Sequence, residues 1–182
     1  MVGTDAPVGI FVVGALGRMG CAIREACADD AGVRWVGGLD RAAEPASSVV
    51  ATCPALPLDV DVVIDFSGPA GLGEALRLST GAGVPLVTGT TGLSDAHEEG
   101  LATLAAHVPV LASPNMSLGV NLLFRLTREV ARALDGAYDF EIVEVHHNRK
   151  QDAPSGTAKR MLDVIKRERQ GSTVVPGRDG MT

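Results

Sequence analysis

Aromatic residues are scarce: Phe, Trp and Tyr make up 3% of the 182 residues, with a single Trp and a single Tyr. The interior must therefore be built from Val, Leu, Ala and Ile. Cysteine is nearly as rare. Cys21, Cys27 and Cys53 form an odd set without a C-x-x-C spacing, which argues against a disulfide framework and fits free thiols in a reducing compartment. Basic residues are outnumbered, and a net charge of −6 excludes the basic face of a typical nucleic-acid binder. No apolar run approaches the roughly 20 residues of a membrane-spanning helix. The opening "MVGTDAP" also lacks the basic segment of a secretory signal. These absences together predict a soluble cytoplasmic protein with neither membrane nor nucleic-acid partner, and no metal is expected.

What the chain does have is 22 glycines and an alternating rhythm. Val8 to Val13 ("VGIFVV") is continuously apolar, as a strand covered on both faces should be. A helix is expected from about Met19 to Ala28, a strand at Val33 to Leu39, and loop with at most a weak helical turn from Arg41 to Pro57. Further strands are expected at Val60 to Phe66, Pro85 to Thr88 and Val108 to Ala112. Helices are expected from Ala70 to Thr80 and, behind an N-cap at Ser94, to about Ala106. This pattern predicts a doubly wound parallel sheet, Rossmann-like and of α/β class. Past Ser113 the rhythm changes. An amphipathic helix is expected at Leu118 to Leu134, a strand at Tyr138 to Val145 with Phe140, Ile142, Glu144 and His146 on one face, and a helix from Thr157 to about Glu168.

"VVGALGRMG" sets Gly14, Gly17 and Gly20 between the first strand and the first helix. Such glycines allow a tight turn and a close main-chain approach to a diphosphate, which the helix N-terminus then binds. The spacing is G-x-x-G-x-x-G rather than G-x-G-x-x-G, so the context carries the reading. A glycine turn that only packs a helix is the bland alternative. Asp40 closes the next strand, 20 residues after Gly20, where a carboxylate would accept from an adenosine ribose. Arg41 beside it could instead neutralise a 2′-phosphate, so NADH and NADPH both remain open. Ligands of such sheets lie beyond the carboxyl ends of the strands. "DFSGP", "TGTTG" and "SPNMS" all fall there, placing Gly89, Thr90, Thr91, Ser113, Pro114, Asn115 and Met116 beside a nicotinamide.

"EVHHNRKQDAPSGTAKR", from Glu144 to Arg160, gathers two of the 4 histidines, a lysine and a Ser-Gly-Thr helix start. Ser155, Gly156 and Thr157 make an anion cradle suited to a carboxylate. Lys150 can supply positive charge or a proton, and His146 or His147 can exchange protons near neutral pH. The competing reading is a solvated strand end. For the basic residues further on, among them Lys159, Lys166 and Arg169, a solvated helix face is an equal alternative.

"VVGALGRMG", "DFSGP", "GTTG", "PNMSLGVN" and above all "EVHHNRKQDAPSGTA" resemble the 4-hydroxy-tetrahydrodipicolinate (dihydrodipicolinate) reductase family of lysine and diaminopimelate biosynthesis. The resemblance implies that His146 is the catalytic proton donor and acceptor, Lys150 a proton donor, and His147 a substrate-binding residue alongside Ser155, Gly156 and Thr157. It likewise implies cofactor contacts from Gly14, Ala15, Leu16, Gly17, Arg18, Met19 and Gly20, from Asp40 and Arg41, from Gly89 to Thr91 and from Ser113 to Met116. NADPH or NADH would be the cofactor and a small cyclic dicarboxylate the substrate. It implies a dinucleotide-binding domain at 1–115 and, at 116–182, a substrate-binding and oligomerisation domain of α+β type, which in the family builds a homotetramer. The chain stops at "VVPGRDGMT", where the family continues for several strands and a helix, so this second domain is expected to be partial and its assembly doubtful. Three outcomes follow: an active NAD(P)H-dependent reductase, a catalytically impaired fragment that still binds dinucleotide, or another amino-acid-linked dehydrogenase of similar fold.

Overall fold

The computed structural model describes residues 6–43, 48–134, 136–146, 148, 153–175 and 177. Two compact units divide the chain, Met1–Pro114 and Asn115–Thr182.

The first unit is a parallel sheet with helices between its strands. Its elements run β1 (Val8–Val13), α1 (Arg18–Asp29), β2 (Val33–Leu39), β3 (Val49–Val50), β4 (Val62–Asp65), α2 (Pro69–Ala82), β5 (Leu86–Thr88), α3 (Asp95–Ala105) and β6 (Val110–Ala112). The order across the sheet is β3-β2-β1-β4-β5-β6, and every pairing is parallel. From β1 the chain winds outward through β2 and β3, then returns to place β4 on the other side of β1. The reversal lies between β1 and β4, where an open α/β sheet leaves its ligand crevice.

Strand periodicity explains how both faces are filled. In β1, Phe11 and Val13 join Val63, Leu72, Leu86 and Leu104 in one core, while Ile10 and Val12 pack with Ala15, Val49 and Ile23 on the other face. Helix α3 is joined to α2 through His97. Its Nδ1 accepts the Ser94 N–H at 3.2 Å and lies 2.7 Å from the Ser94 hydroxyl, while Nε2 lies 3.0 Å from the Pro69 carbonyl. A proton on Nε2 satisfies all three contacts, so this histidine is structural.

Two expectations for this unit need correction. The Arg41–Pro57 stretch is not all loop: Val49–Val50 pairs with Gly38 and Leu39 as β3. Two residues flanked by Ser48 and Ala51 are too short to show a period-2 signal. Expected strands also began too early beside Pro85 and Pro109, which have no N–H to give a ladder.

The second unit contains α4 (Leu118–Ala133) and α5 (Gly156–Glu168), which pack on each other. Ala131, Ala158, Val164 and Ile165 form its buried apolar part. Glu168 receives Arg132 Nε at 2.8 Å, and Arg169 donates to the Leu134 carbonyl at 3.0 Å. The strand expected at Tyr138 to Val145 is not formed: 138–146 is irregular, with no strand partner among the described residues. Its expected alternation is present as far as Val145, whereas His146, expected on the face of Glu144, is exposed. Phe140, Ile142 and Glu144 are half-buried, whereas Val143 and Val145 are exposed. A side-chain pattern can be written into a segment, but a strand exists only when a second backbone completes the ladder. Leu122, Leu123, Leu126 and Val130 of α4 are also exposed.

Candidate functional site

The glycine loop is built around backbone that no other residue allows. Gly14 has φ +81, and a Cβ there would stand 2.8 Å from Ser67 Cα, so the loops after β1 and β4 meet at this point. Gly20 is buried, and a Cβ on it would lie 2.4 Å from the Gly14 carbonyl oxygen and 2.6 Å from Ala15 backbone. Gly17 differs: a Cβ would approach only the Gly14 oxygen, at 3.2 Å. Two glycines therefore shape the turn, and Gly17 keeps its outer side clear.

Gly17 caps α1 without any side-chain hydrogen bond, and no acidic residue occupies the first turn. The first helical bond runs from the Cys21 N–H to the Gly17 carbonyl. The preceding N–H groups, on Arg18, Met19 and Gly20, form an uncapped helix start, the environment that binds a phosphate. Leu16, Arg18 and Met19 are exposed along this loop, while Ala15 is buried.

Asp40 is closer to the loop than its sequence position alone reveals. Its Oδ2 accepts the Leu16 N–H at 3.0 Å and its Oδ1 the Ala42 N–H at 3.0 Å. A carboxylate has about four acceptor positions, so ribose hydroxyls can still be accepted while the glycine loop is held. Arg41 is exposed in the turn that follows.

The loop after β5 lies beside the loop after β4. Thr90 is buried and accepts the Gly68 N–H at 3.2 Å, whereas Thr91 is exposed and Gly89 half-buried. Ser113 donates its N–H to the Thr88 carbonyl at 3.0 Å, so β5 and β6 end level with one another. Ser113 and Pro114 thus belong to the first unit, Asn115 and Met116 to the second. In the second unit, Asn115 Oδ1 accepts the Ser117 N–H at 2.9 Å, which sets the entry to α4.

The fit to a dinucleotide rests on these observations: an uncapped helix start, a glycine with a clear outer side, a carboxylate fixed at the end of β2, and a reversal of strand order between β1 and β4. Asp65, the fully buried carboxylate that ends β4, is not among the residues expected at the site, although an acid closing the apolar run "VVID" was a usable signal.

In the second unit, Ser155 is buried and its hydroxyl accepts the Ala158 N–H at 3.1 Å; its carbonyl accepts the Lys159 N–H at 2.9 Å. Gly156 and Thr157 are left as the first-turn donors of α5, with no partner for their N–H groups among the described residues. Glu144 Oε1 accepts the Ser155 N–H at 2.8 Å. Its Oε2 lies 3.7 Å from His146 Nδ1, beyond hydrogen-bond range. His146 is exposed. His147 and Lys150 lie outside the described residues. Glu144 is a second residue the sequence reading passed over, though it shares the His146 face.

Comparison with known proteins agrees in both units. The family profile for the dihydrodipicolinate reductase N-terminus matches residues 8–116 and that for its C-terminus residues 119–180. The 4-hydroxy-tetrahydrodipicolinate reductase of Nitrosomonas europaea is 38% identical over 97% of this chain and 72% of its own length. That of an Anaeromyxobacter species is 41% identical over 86% of this chain and 63% of its own. Dipicolinate-bound dihydrodipicolinate reductase from Paenisporosarcina sp. TG-14 superposes with a TM-score of 0.74 at 26% identity, covering 97% of this chain and 72% of that one. No helix among the described residues is long and apolar enough to cross a membrane. The chain belongs to the dihydrodipicolinate reductase family, nicotinamide-dependent oxidoreductases of lysine and diaminopimelate biosynthesis.

Proposed function

We propose that the first unit binds NADPH or NADH and that the second holds the cyclic dicarboxylate 4-hydroxy-tetrahydrodipicolinate for reduction to tetrahydrodipicolinate. The observation that carries this reading is the start of α5, where the Gly156 and Thr157 N–H groups remain as donors behind the Ser155 cap. The dipicolinate bound to the Paenisporosarcina relative is a ligand of the same dicarboxylate class.

The reduced nicotinamide, when bound, supplies a hydride. This chain's residues do the rest. Helix α1 and Gly17 hold the diphosphate, Asp40 the adenosine ribose, and Arg41 a 2′-phosphate where one is present. Gly89, Thr90, Thr91, Ser113, Pro114, Asn115 and Met116 contact the nicotinamide end. Ser155 shapes the α5 cradle, whose Gly156 and Thr157 N–H groups grip one substrate carboxylate, and His147 binds the same molecule. His146, whose ring lies 3.7 Å from the Glu144 carboxylate, and Lys150 deliver the proton that accompanies the hydride, a task for positioned general acids. A homotetramer is the assembly this family membership suggests, in a cytoplasmic setting.

Calorimetric titration with dipicolinate in saturating NADPH tests the substrate half of this reading. Binding that weakens about tenfold in His147→Ala supports it, on the scale of one charge-assisted hydrogen bond lost. Absence of dipicolinate binding with NADPH binding intact contradicts it.

A further inference from the structure

Asp65 is 0% exposed and faces no Lys, Arg or His in any ion pair among the described residues. An isolated carboxylate in such a place is costly unless every lone pair is met. Here four donors meet it. Oδ1 accepts both the N–H and the hydroxyl of Ser67; Oδ2 accepts the hydroxyls of Thr88 and Thr90, each at 2.7 Å. A second tier leans on the first. The Thr90 N–H donates to the Thr88 hydroxyl oxygen at 3.2 Å, and the Gly68 N–H to the Thr90 hydroxyl oxygen at 3.2 Å. Ser67 in turn packs against Gly14. One carboxylate therefore ties together the loops after β1, β4 and β5.

We propose that Asp65 is a positioning residue for the dinucleotide crevice, acting through Ser67 and Thr90 to fix both the loop geometry and the polarity of their hydroxyls. This assignment rests on the dinucleotide reading above. A hydroxyl whose proton is committed to a carboxylate offers only lone pairs to anything else. Ser67 is exposed, and its other near neighbour, the Gly68 carbonyl at 3.3 Å, is also an acceptor. Toward a ligand the Ser67 oxygen is thus an acceptor, matched to a donor group on the dinucleotide such as a carboxamide N–H or a ribose hydroxyl.

Substituting Asn for Asp65 replaces one acceptor oxygen by a donor NH2, which forces at least one of these hydroxyls to reverse. The test measures NADPH affinity by nicotinamide fluorescence, and thermal unfolding in parallel, for Asp65→Asn, Thr90→Val, Thr90→Ser and the Asp65→Asn/Thr90→Val pair. Thr90→Val should weaken NADPH roughly tenfold, and Thr90→Ser should restore it to within about twofold, the scale of one lost hydrogen bond. The double variant should bind no more weakly than Asp65→Asn alone, since the two act along one path. If wild type binds NADPH and both Asp65→Asn and Thr90→Val bind within twofold of it, or their losses add, Asp65 is a purely structural acid and the proposal is overturned, whatever happens to stability. Should Asp65→Asn fail to fold, Thr88→Val, which removes a buried hydroxyl that donates to Asp65 and belongs to no cofactor contact, decides in its place: a loss of about tenfold supports the proposal and NADPH affinity within twofold of wild type overturns it. A wild-type chain that binds no dinucleotide overturns the dinucleotide reading and this assignment with it.

Discussion

Glu144 holds Ser155 by its backbone: the carboxylate accepts the Ser155 N–H at 2.8 Å, immediately before α5 begins. The residue that starts the anion cradle is thereby fixed by the residue two positions before His146. Glu144→Ala should lower the free energy of unfolding by about 1–3 kcal/mol, the cost of leaving a part-buried donor unmet. Glu144→Gln, which keeps an acceptor oxygen, should recover most of that loss. Urea denaturation of the three proteins measures both.

Gly17 and Gly20 should separate in their effects. Gly20→Ala drives a Cβ into the Gly14 and Ala15 backbone and should cost about 1–3 kcal/mol of stability. Gly17→Ala meets only one oxygen, at 3.2 Å, and should leave the unfolding midpoint nearly unchanged while weakening dinucleotide binding. Loss of binding in neither variant would remove the glycine loop from the cofactor site.

Arg41→Ala should weaken NADPH more than NADH, because only the former carries the 2′-phosphate that a guanidinium neutralises. Fluorescence titration with the two cofactors reads the ratio directly. Equal losses would show that Arg41 does not read the phosphate.

The three thiols should react in order of access and ionisation. Cys21 is exposed, Cys27 is half-buried and Cys53 is buried. Burial raises the Cys27 thiol above 9.0, with Asp30 adding to it; for Cys53 burial also dominates, partly offset by Arg77. A maleimide at neutral pH should therefore label Cys21 first and Cys53 last, as followed by mass spectrometry. The same shifts set a sign for stability. Below the unfolded thiol's pKa both states are protonated and the contribution is fully present. As pH rises from about 9 through the higher folded values, the unfolded chain loses its protons first and stability falls.

The sheet was legible because two-sided burial writes itself as runs such as "VGIFVV" and because glycine turns punctuate them. Helix bounds at α1, α2 and α4 fell within a residue or two of the expected ones, since caps and periodicity are local properties. What the sequence concealed was non-local. Strand β3 exists because β2 offers it an edge, and 138–146 lacks a strand because none of the described residues offers one. Asp65 and Glu144 escaped for a related reason: the contacts of Asp65 with Thr88 and Thr90, 23 and 25 residues on, and of Glu144 with Ser155, 11 residues on, exist only once the backbone has folded. Asp40 was seen as a ribose ligand, and the structure adds its grip on Leu16.

The most direct test is oxidation of NADPH by the purified chain with 4-hydroxy-tetrahydrodipicolinate generated in place by the enzyme that makes it. The account predicts substrate-dependent oxidation that falls by about 10²-fold or more in His146→Ala and in Lys150→Ala, the usual scale of a lost general acid or base. Substrate-dependent oxidation unaffected by either substitution, or none at all while NADPH still binds, would contradict it; the latter would leave a chain that holds the dinucleotide without doing the chemistry.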